Sequence, residues 1–250
     1  MIAIRSEREI ALLKKAGAIV GHTHAVLAKA IRPGITTKEL DKMAEEVITS
    51  MGATPSFKGY QGFPGSICTS INEMLVHGIP DDTVLKDGDI ISIDIGACFK
   101  GYHGDSAWTY AVGTIRPEHQ KLLDVTQESL FKGLKQVKPG NHVGGISYAI
   151  EHYVESFGYS LPIEYTGHGV GSNLHEDPAI PNVGKPHTLE KLKKGMVIAV
   201  EPMVFMGRPH TQTLSDGWGV VSKDKSWAAH FEHTVVVTDD GYDITTIREE

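Results

Sequence analysis

Residues Ile31–Gly52 read IRPGITTKELDKMAEEVITSMG, and this stretch decides the fold because the chain repeats it. It lines up without gaps on Val137–Gly158, VKPGNHVGGISYAIEHYVESFG, 106 positions later. Pro-Gly matches Pro-Gly, and the terminal glycine matches the terminal glycine. In the first copy, Pro-Gly ends one helical pattern and Gly52 ends the next.

A second pair of segments recurs at nearly the same spacing. LKDGDIISID, which ends at Asp94, lines up on LKKGMVIAVE, which ends at Glu201, 107 positions later. Two matches at nearly the same separation along the chain indicate an internal duplication. We therefore expect one catalytic domain over residues 1–250, made of related halves at about 1–110 and 111–250, in which each buried strand delivers one carboxylate to a shared site.

Helix and strand signals alternate along the rest of the chain, which predicts an α/β fold. Ser6 with Glu9, and Thr36 with Glu39, form capping boxes that open the first two helices. Two more helices are expected at Glu118–Val137 and Val143–Phe157. Apolar runs predict strands at Ile67–Ile71, Ile90–Ile95, Trp108–Val112, Val197–Val200 and Thr234–Thr238.

The composition limits the classes of function. The 24 basic and 31 acidic residues give a net charge of −7, which weighs against nucleic acid or an anionic membrane as the main partner. The N-terminus lacks the apolar core of a signal peptide, and no apolar run reaches the length of a membrane span. Cys68 and Cys98 match no zinc or redox spacing, so a reducing cytoplasm is the predicted location.

Two aspartates follow a buried strand. Asp94 ends the almost wholly apolar run IISID, where an ionised carboxylate is costly to bury unless it is paired or bound to a metal. Asp105 follows in GYHGDS, and the three glycines between them predict a bulged hairpin that brings the two carboxylates together. Either aspartate alone could be a turn or capping residue; as a pair they favour a divalent cation.

Three further side chains complete the predicted cluster. His168 stands between glycines in TGHGVG, Glu201 ends the second repeated strand, and Glu232 precedes a strand in HFEHTVVV. An ordinary loop histidine and an edge carboxylate are the alternatives. Four carboxylates and one imidazole, without a thiolate, suit Mn(II), Fe(II), Co(II) or Zn(II). Four carboxylates exceed the need of one ion, so two ions about 3.5–4 Å apart are expected.

Five segments of the chain carry a family resemblance: GYQGFPGSICTSINEMLVHGIP, IDIGACFKGYHGDSAWTY, EYTGHGVGSNLHEDP, IAVEPM and HFEHTVVVT. Together they are similar to those of type I methionine aminopeptidases, in order and over essentially the whole chain. The resemblance is to the forms from spore-forming Gram-positive bacteria. It implies an internally duplicated pita-bread fold with pseudo-two-fold symmetry, which agrees with the repeat.

The resemblance also implies roles for the cluster. Asp94 would bind one metal ion, His168 and Glu201 the other, and Asp105 and Glu232 would bridge both. A water between two cations would attack the scissile carbonyl, with Glu201 moving its proton. His77 and His175 would flank the substrate and stabilise the tetrahedral intermediate; without the resemblance, both would be taken for loop histidines.

A methionine pocket and a set of partners follow from the same resemblance. The implied substrate is the N-terminal methionine of a nascent polypeptide with a small second residue. Transient ribosome contact, a monomeric state and no nucleic-acid or membrane substrate are also implied. The expected pocket residues, which are otherwise simply core, are Tyr60, Phe63, Cys68, His77, Leu174, His175 and Trp218.

Three positions depart from the family pattern. Gln61 replaces a histidine, Gly96 replaces a threonine whose hydroxyl supports the ligand Asp94, and Leu174 replaces a phenylalanine beside His175. None removes a ligand, so we expect catalysis to be retained with an altered pocket.

Two rival functions remain on sequence grounds. Prolidase and aminopeptidase P share the five ligands, but these relatives and creatinase carry an additional N-terminal domain, whereas this chain starts with the first helix. Type II enzymes carry an insertion between the His and Glu ligands, for which the 32 residues between His168 and Glu201 leave no room. A non-enzymatic peptide-binding module of this fold typically loses ligands, and all five are present here.

Overall fold

The computed structural model describes residues 2–248. The helices within this range are α1 (Glu7–Ala30), α2 (Thr37–Ser50), α3 (Pro117–Leu134) and α4 (Val143–Glu155). Both predicted capping boxes are confirmed, because the Ser6 and Thr36 hydroxyls accept from the backbone N–H of Glu9 and Glu39, whose carboxylates accept in return. None of these helices is both long and apolar enough to cross a membrane.

The strands form a four-stranded and a five-stranded sheet with smaller sheets beside them. The four-stranded sheet has the order β1-β4-β2 with β5 on β4, and the five-stranded sheet has the order β14-β13-β8-β6-β7. Within residues 2–248 the strands are β1 (Thr54–Pro55), β2 (Ile67–Ile71), β3 (Met74–Val76), β4 (Ile90–Phe99), β5 (Tyr102–Ala111), β6 (Thr166–Gly169), β7 (Glu176–Pro181), β8 (Val197–Val200), β9 (Met203–Phe205), β10 (Thr211–Thr213), β11 (Val220–Ser222), β12 (Ala228–His230), β13 (His233–Val237) and β14 (Tyr242–Ile244).

The repeated sequence segments take the same structure. Helix α4 begins 106 positions after α2, and strand β8 begins 107 positions after β4. Gly34 and Gly140 have φ of 94° and 92°, and Gly52 and Gly158 both have φ of 76°. These left-handed values favour glycine. The two Pro-Gly turns therefore share one backbone conformation, and so do the two helix ends.

Two large apolar cores support the fold, and the second also takes in Ile90 and Trp108 from the first sheet. In the first, α1 and α2 cover β4, with Ile19, Leu40 and Ile93 among the fully buried residues. In the second, α3 and α4 pack over β8 and β13, around Leu130 and Ile198. The helices therefore lie outside, and the two sheets approach each other between them.

The hairpin that joins the two aspartates differs from the prediction. Strands β4 and β5 pair without a register shift from Ile90 to Phe99, so the predicted bulge is wrong. Lys100 and Gly101, with φ of 50° and 83°, close a two-residue turn instead. Strand β5 also begins at Tyr102, earlier than the predicted Trp108.

Candidate metal centre

The first sheet supplies two carboxylates to one face of its hairpin. In the β4–β5 register Gly96 lies opposite Asp105, and Asp94 lies opposite Ala107. Directly opposed residues point to the same face, and so does every second residue along a strand. Asp94 and Asp105 are therefore diagonal neighbours whose carboxylates share one surface of the sheet.

The second sheet supplies two carboxylates and an imidazole. His233 pairs with Val200, which places Glu201, just after β8, beside Glu232, just before β13. His168 lies on the neighbouring strand β6, and its Nδ1 lies 2.9 Å from the carbonyl oxygen of Gly169. That contact orients the ring and turns Nε2 toward the carboxylates.

Hydrogen bonds at the sheet junction bring the two groups of predicted ligands together. The N–H of Glu232 donates to the carbonyl of Ala107 at 2.8 Å, and the Ser106 hydroxyl donates to the carbonyl of Glu232 at 2.6 Å. The Thr234 hydroxyl donates to the carbonyl of Asp105 at 2.7 Å. The backbones beside the carboxylates are thus fixed to each other across the molecule.

The five side chains form two overlapping clusters with metal-binding spacing. One ligand atom from each of Asp94, Asp105 and Glu232 lies within 4.8 Å of the others, and the same holds for His168, Glu201 and Glu232. His168 Nε2 lies 3.5 Å from Glu201 Oε1 and 3.6 Å from Asp105 Oδ2. Glu232 belongs to both clusters, and Asp105 also approaches His168.

The chemistry of this donor set fits divalent cations. Asp94 Oδ1, Asp105 Oδ1 and Glu232 Oε1 are buried without a hydrogen-bond partner, a costly state for a carboxylate unless a cation balances it. Burial raises the pKa of Asp94 to about 7 and that of Glu201 to about 8. For Asp105 and Glu232, burial and the neighbouring carboxylates raise the pKa well above the usual range. Bound cations would stabilise the ionised forms.

A cavity of about 460 Å³ opens onto these carboxylates. Its apolar wall contains Phe63, Cys68 and Leu174, all buried, and the Phe63 ring meets Trp218 edge to face at 5.1 Å. All the residues predicted for the metal ions, the catalytic step and the methionine pocket line this cavity: Tyr60, Phe63, Cys68, His77, Asp94, Asp105, His168, Leu174, His175, Glu201, Trp218 and Glu232.

The imidazoles around the cavity are neutral at pH 7. Burial lowers the pKa of His168 to about 3 and that of His77 to about 4, and it also lowers the pKa of His175. The Tyr60 hydroxyl lies 2.9 Å from His175 Nδ1, and the His175 ring lies 4.2 Å from that of His168. His77 lines the same cavity and has a left-handed φ of 62°.

Sequence reasoning missed several residues of the site. His230, whose pKa burial lowers to about 4, has its Nε2 3.2 Å from Glu201 Oε2. It stands two residues before Glu232 in a motif already singled out, but its inward orientation depends on the pairing of β12 with β9. Phe57, Tyr165 and Met203 also line the cavity. A Cβ on Gly96 would lie 2.7 Å from the Phe57 ring, so this ring fills the space where the family threonine was expected.

A buried cluster of carboxylates and an imidazole at the base of a cavity is the arrangement expected of a metal-dependent enzyme. The model of metallopeptidase family M24 matches residues 11–239. Methionine aminopeptidase 1 of Bacillus subtilis (strain 168) is 57% identical over 246 residues, covering 98% of this chain and 99% of that protein. Methionine aminopeptidase of Clostridium acetobutylicum is 51% identical over the full length of both. The chain belongs to metallopeptidase family M24 and, within it, to the methionine aminopeptidases.

Solved structures agree on the fold. Methionine aminopeptidase of Thermotoga maritima superposes with a TM-score of 0.98 at 43% identity, covering 99% of this chain and all of that one. Prolidase of Pyrococcus furiosus superposes with a TM-score of 0.80 at 25% identity, covering 99% of this chain but 66% of that one. The predicted α/β pita-bread fold and the predicted family are confirmed.

Proposed function

We propose that this protein removes the N-terminal methionine from nascent polypeptides whose second residue is small, using two divalent metal ions. The observation that carries the proposal is the pair of three-residue clusters that share Glu232 at the base of one apolar cavity. The metallopeptidase family and the methionine aminopeptidase relatives support it.

The grouping of the side chains supports the ligand roles that the family resemblance implies. We assign Asp94 to one ion, His168 and Glu201 to the other, and Asp105 and Glu232 to both. Two ions balance the four carboxylates that burial otherwise forces toward protonation. Bound divalent cations at such a site make water nucleophilic near neutral pH and polarise a carbonyl oxygen. Cobalt, manganese, iron and zinc all suit these donors.

Histidines beside the cluster supply neutral hydrogen-bond donors. Donation by the Tyr60 hydroxyl to His175 Nδ1 would leave the proton of His175 on Nε2, where it can donate to the oxygen that becomes negative in the transition state. His77, also neutral at pH 7, would donate from the opposite side. Glu201 Oε2, near His230 Nε2, is the acceptor we propose for the proton lost by the attacking water.

The cavity walls support the choice of methionine as the side chain that is bound. A flexible thioether packs well against aromatic edges and sulfur, which Phe63, Trp218 and Cys68 provide. We propose that the substrate's α-amine binds a cation or an acidic ligand of the cluster, which would restrict cleavage to the N-terminal residue. The enzyme would act as a monomer in the cytoplasm, with transient ribosome contact.

Paired peptide assays with metal analysis test the proposal. Protein purified without chelators should hold close to two equivalents of divalent metal and should cleave Met-Ala-Ser but not Ala-Pro-Ala. Assays with Mn(II), Fe(II) and Co(II) in turn would rank the metals. Cleavage of Ala-Pro-Ala in preference would assign the prolidase-like function, and cleavage of neither peptide by the metal-loaded protein would remove the enzymatic one.

A further inference from the structure

We propose that Arg5 and Glu176 form a positioning pair that fixes the loop of residues 171–175. This loop carries Leu174 and His175 into the cavity. The proposal rests on the proposed function for its consequences in catalysis, although the contacts that carry it lie outside the metal cluster.

The pair is shielded and anchored on both sides. The Arg5 guanidinium donates from Nη2 to Glu176 Oε2, and the two side chains are only 9% and 15% exposed. The Arg5 backbone N–H also donates to the carbonyl of Gly195 at 2.8 Å, and its Nη1 donates to Glu9 Oε1 at 3.5 Å. The segment before α1 is thereby fastened to the strand-turn region preceding β8. Removing either partner would leave the other charge buried and unpaired. This lowers the free energy of unfolding more than the loss of an exposed ion pair does.

The second oxygen of Glu176 holds the loop itself. Glu176 Oε1 accepts from the backbone N–H of Asn173 at 3.0 Å and from the Ser172 hydroxyl at 3.5 Å. Asn173 directly precedes Leu174, so the carboxylate acts at the base of the segment that enters the cavity. Arg5 in turn fixes where this carboxylate stands, because an ion pair with a guanidinium is directional.

The backbone of the loop is shaped to admit the guanidinium. A Cβ on Gly171 would collide with the Nη2 of Arg5 and would lie 2.5 Å from Glu176 Oε1. The missing side chain at position 171 therefore leaves the space that Arg5 and Glu176 occupy. The carbonyl of Gly171 also accepts from the N–H of His103 at 2.9 Å, which ties the same loop to β5.

Loop position determines two features of the site. Leu174 is 2% exposed and packs against Phe63 and Cys68 in the cavity wall. His175 is set by its contact with Tyr60. Release of the loop would loosen the wall around the substrate side chain and would misplace an imidazole proposed to donate to the transition state. Both selectivity and turnover should therefore change.

The test compares Arg5→Ala, Arg5→Lys and Glu176→Gln with Lys14→Ala, which breaks an exposed ion pair with Asp243. Hydrogen exchange of the metal-loaded protein is measured over residues 171–175, and kcat/KM is measured on Met-Ala-Ser and Leu-Ala-Ser. Arg5→Ala should speed exchange in the loop and lower kcat on Met-Ala-Ser by about tenfold. The Met/Leu ratio of kcat/KM should fall by about threefold to tenfold. Arg5→Lys should recover part of each change, and Lys14→Ala should show none.

The two readouts separate a positioning role from a stability role. A smaller folded fraction lowers turnover on both peptides equally and leaves their ratio unchanged. If Arg5→Ala cannot be purified folded, Glu176→Gln carries the same comparison at nearly constant volume. Unchanged loop exchange in the Arg5 and Glu176 variants, or an unchanged Met/Leu ratio, overturns the proposal. Failure of wild type to cleave either peptide counts against the proposed function, while loop exchange still decides the positioning of the loop.

Discussion

Asp105 illustrates how burial and charge act together on a single residue. Its side chain is almost fully buried, and its Oδ1 has no hydrogen-bond partner. Burial first, and then the charges of Asp94 and Glu201, raise its pKa well above the usual value. Ionisation of this carboxyl therefore opposes folding unless a cation is bound. The same residue lowers the stability of the metal-free protein and is a proposed ligand of the metal-loaded protein.

Replacement of Asp105 should separate these two effects. Because its native pKa is raised, the carboxyl stabilises the fold only while protonated, and that stability is lost as the pH rises from its unfolded value near 4 through its native pKa. Asp105→Asn should therefore raise the unfolding temperature of the metal-free protein at pH 8 by about 3–10 °C, equivalent to about 1–3 kcal/mol. It should also abolish most of the stabilisation by added Mn(II) and nearly all turnover.

Thermal unfolding with and without chelator at pH 6 and pH 8 measures this balance. The gain from the substitution should be larger at pH 8, because the loss of wild-type stability grows as the pH rises from the unfolded pKa toward the raised native pKa. Lys14→Ala, far less buried and outside the cluster, is the control. Wild-type turnover by Asp105→Asn would show that Asp105 does not bridge the ions.

His24 is a second buried titratable residue, and it lies outside the metal cluster. Its Nδ1 lies 2.9 Å from the Tyr110 hydroxyl and its Nε2 lies 2.9 Å from the carbonyl of Ser106. Burial lowers its pKa to about 3, with smaller contributions in the same direction from the charges of Arg248 and His233 and an opposing one from the Ser106 carbonyl. The imidazole is therefore neutral in the native protein over the range in which the unfolded chain takes up a proton.

Acid should destabilise the protein partly through His24. A histidine with a depressed native pKa stabilises the fold above its unfolded pKa near 6.5, and this stability is lost as the pH falls below that value. Between pH 6.5 and pH 5 the loss should reach about 2 kcal/mol. His24→Gln, which keeps a donor and an acceptor, should remove that part of the pH dependence. Urea unfolding at both pH values measures it, and an equal loss in both proteins would contradict the assignment.

At the scale of elements, the β4–β5 hairpin has to satisfy the site and helix α1 together. One face presents Asp94 and Asp105, and α1 packs against the hairpin so closely that a Cβ on Gly104 would lie 2.5 Å from the backbone nitrogen of Gly17. Gly101 lies in the turn of the same hairpin and has a left-handed φ of 83°. A Cβ at this position would have no other atom within 4 Å. The two glycines are thus required for different reasons.

Alanine at these positions should distinguish close packing from backbone strain. Gly104→Ala must push α1 from the sheet and should cost about 2–4 kcal/mol of the free energy of unfolding, with a fall in turnover as the aspartates shift. Gly101→Ala should cost about 1 kcal/mol through its left-handed backbone and leave turnover near wild type. Urea unfolding and peptide hydrolysis measure both variants, and equal losses would refute the packing argument.

Elements with local signals were predictable, and those that depend on distant partners were not. The capping residues Ser6 and Thr36 fixed two helix starts, because a cap is decided within four residues. The strands around His168 and His230 are short and mix polar with small residues, so no periodicity marks them. The bulge expected before Asp105 was wrong because Gly104 serves the contact with α1 and not a bend in the strand. Phe57 was missed because its place in the site depends on packing against Gly96 and against Phe63 and Leu174, which no local pattern marks.

At the scale of the whole molecule, we propose one catalytic domain of two related halves that meet at the metal centre. Residues 105–107 of β5 are joined there to residues 232–234, at the start of β13, by the bonds from Thr234 to Asp105, from Ser106 to Glu232 and from Glu232 to Ala107. The first half contributes the proposed ligands Asp94 and Asp105, and the second contributes the other three proposed ligands. The hydrogen bonds thus connect the backbones of the two halves, and the cations would connect their side chains at the same place.

Thr234→Val tests whether this junction couples the halves. The substitution keeps the shape of a fully buried residue but removes the donor to the carbonyl of Asp105. It should lower the free energy of unfolding by about 1–3 kcal/mol. Because it loosens the bridging ligands relative to each other, it should also reduce the extra stability that Mn(II) confers, which reaches about 2.7 kcal/mol at a hundredfold excess over Kd.

The matched control is Thr126→Val, because Thr126 is equally buried but its hydroxyl donates to the carbonyl of Leu122 within the same helix. That variant should leave the stabilisation by Mn(II) unchanged, whatever its effect on stability, since α3 holds none of the proposed ligands. Urea unfolding of both variants with and without Mn(II) gives the comparison. An equal response to Mn(II) would mean that each half holds its ligands in place independently, and the backbone junction would then serve only the fold.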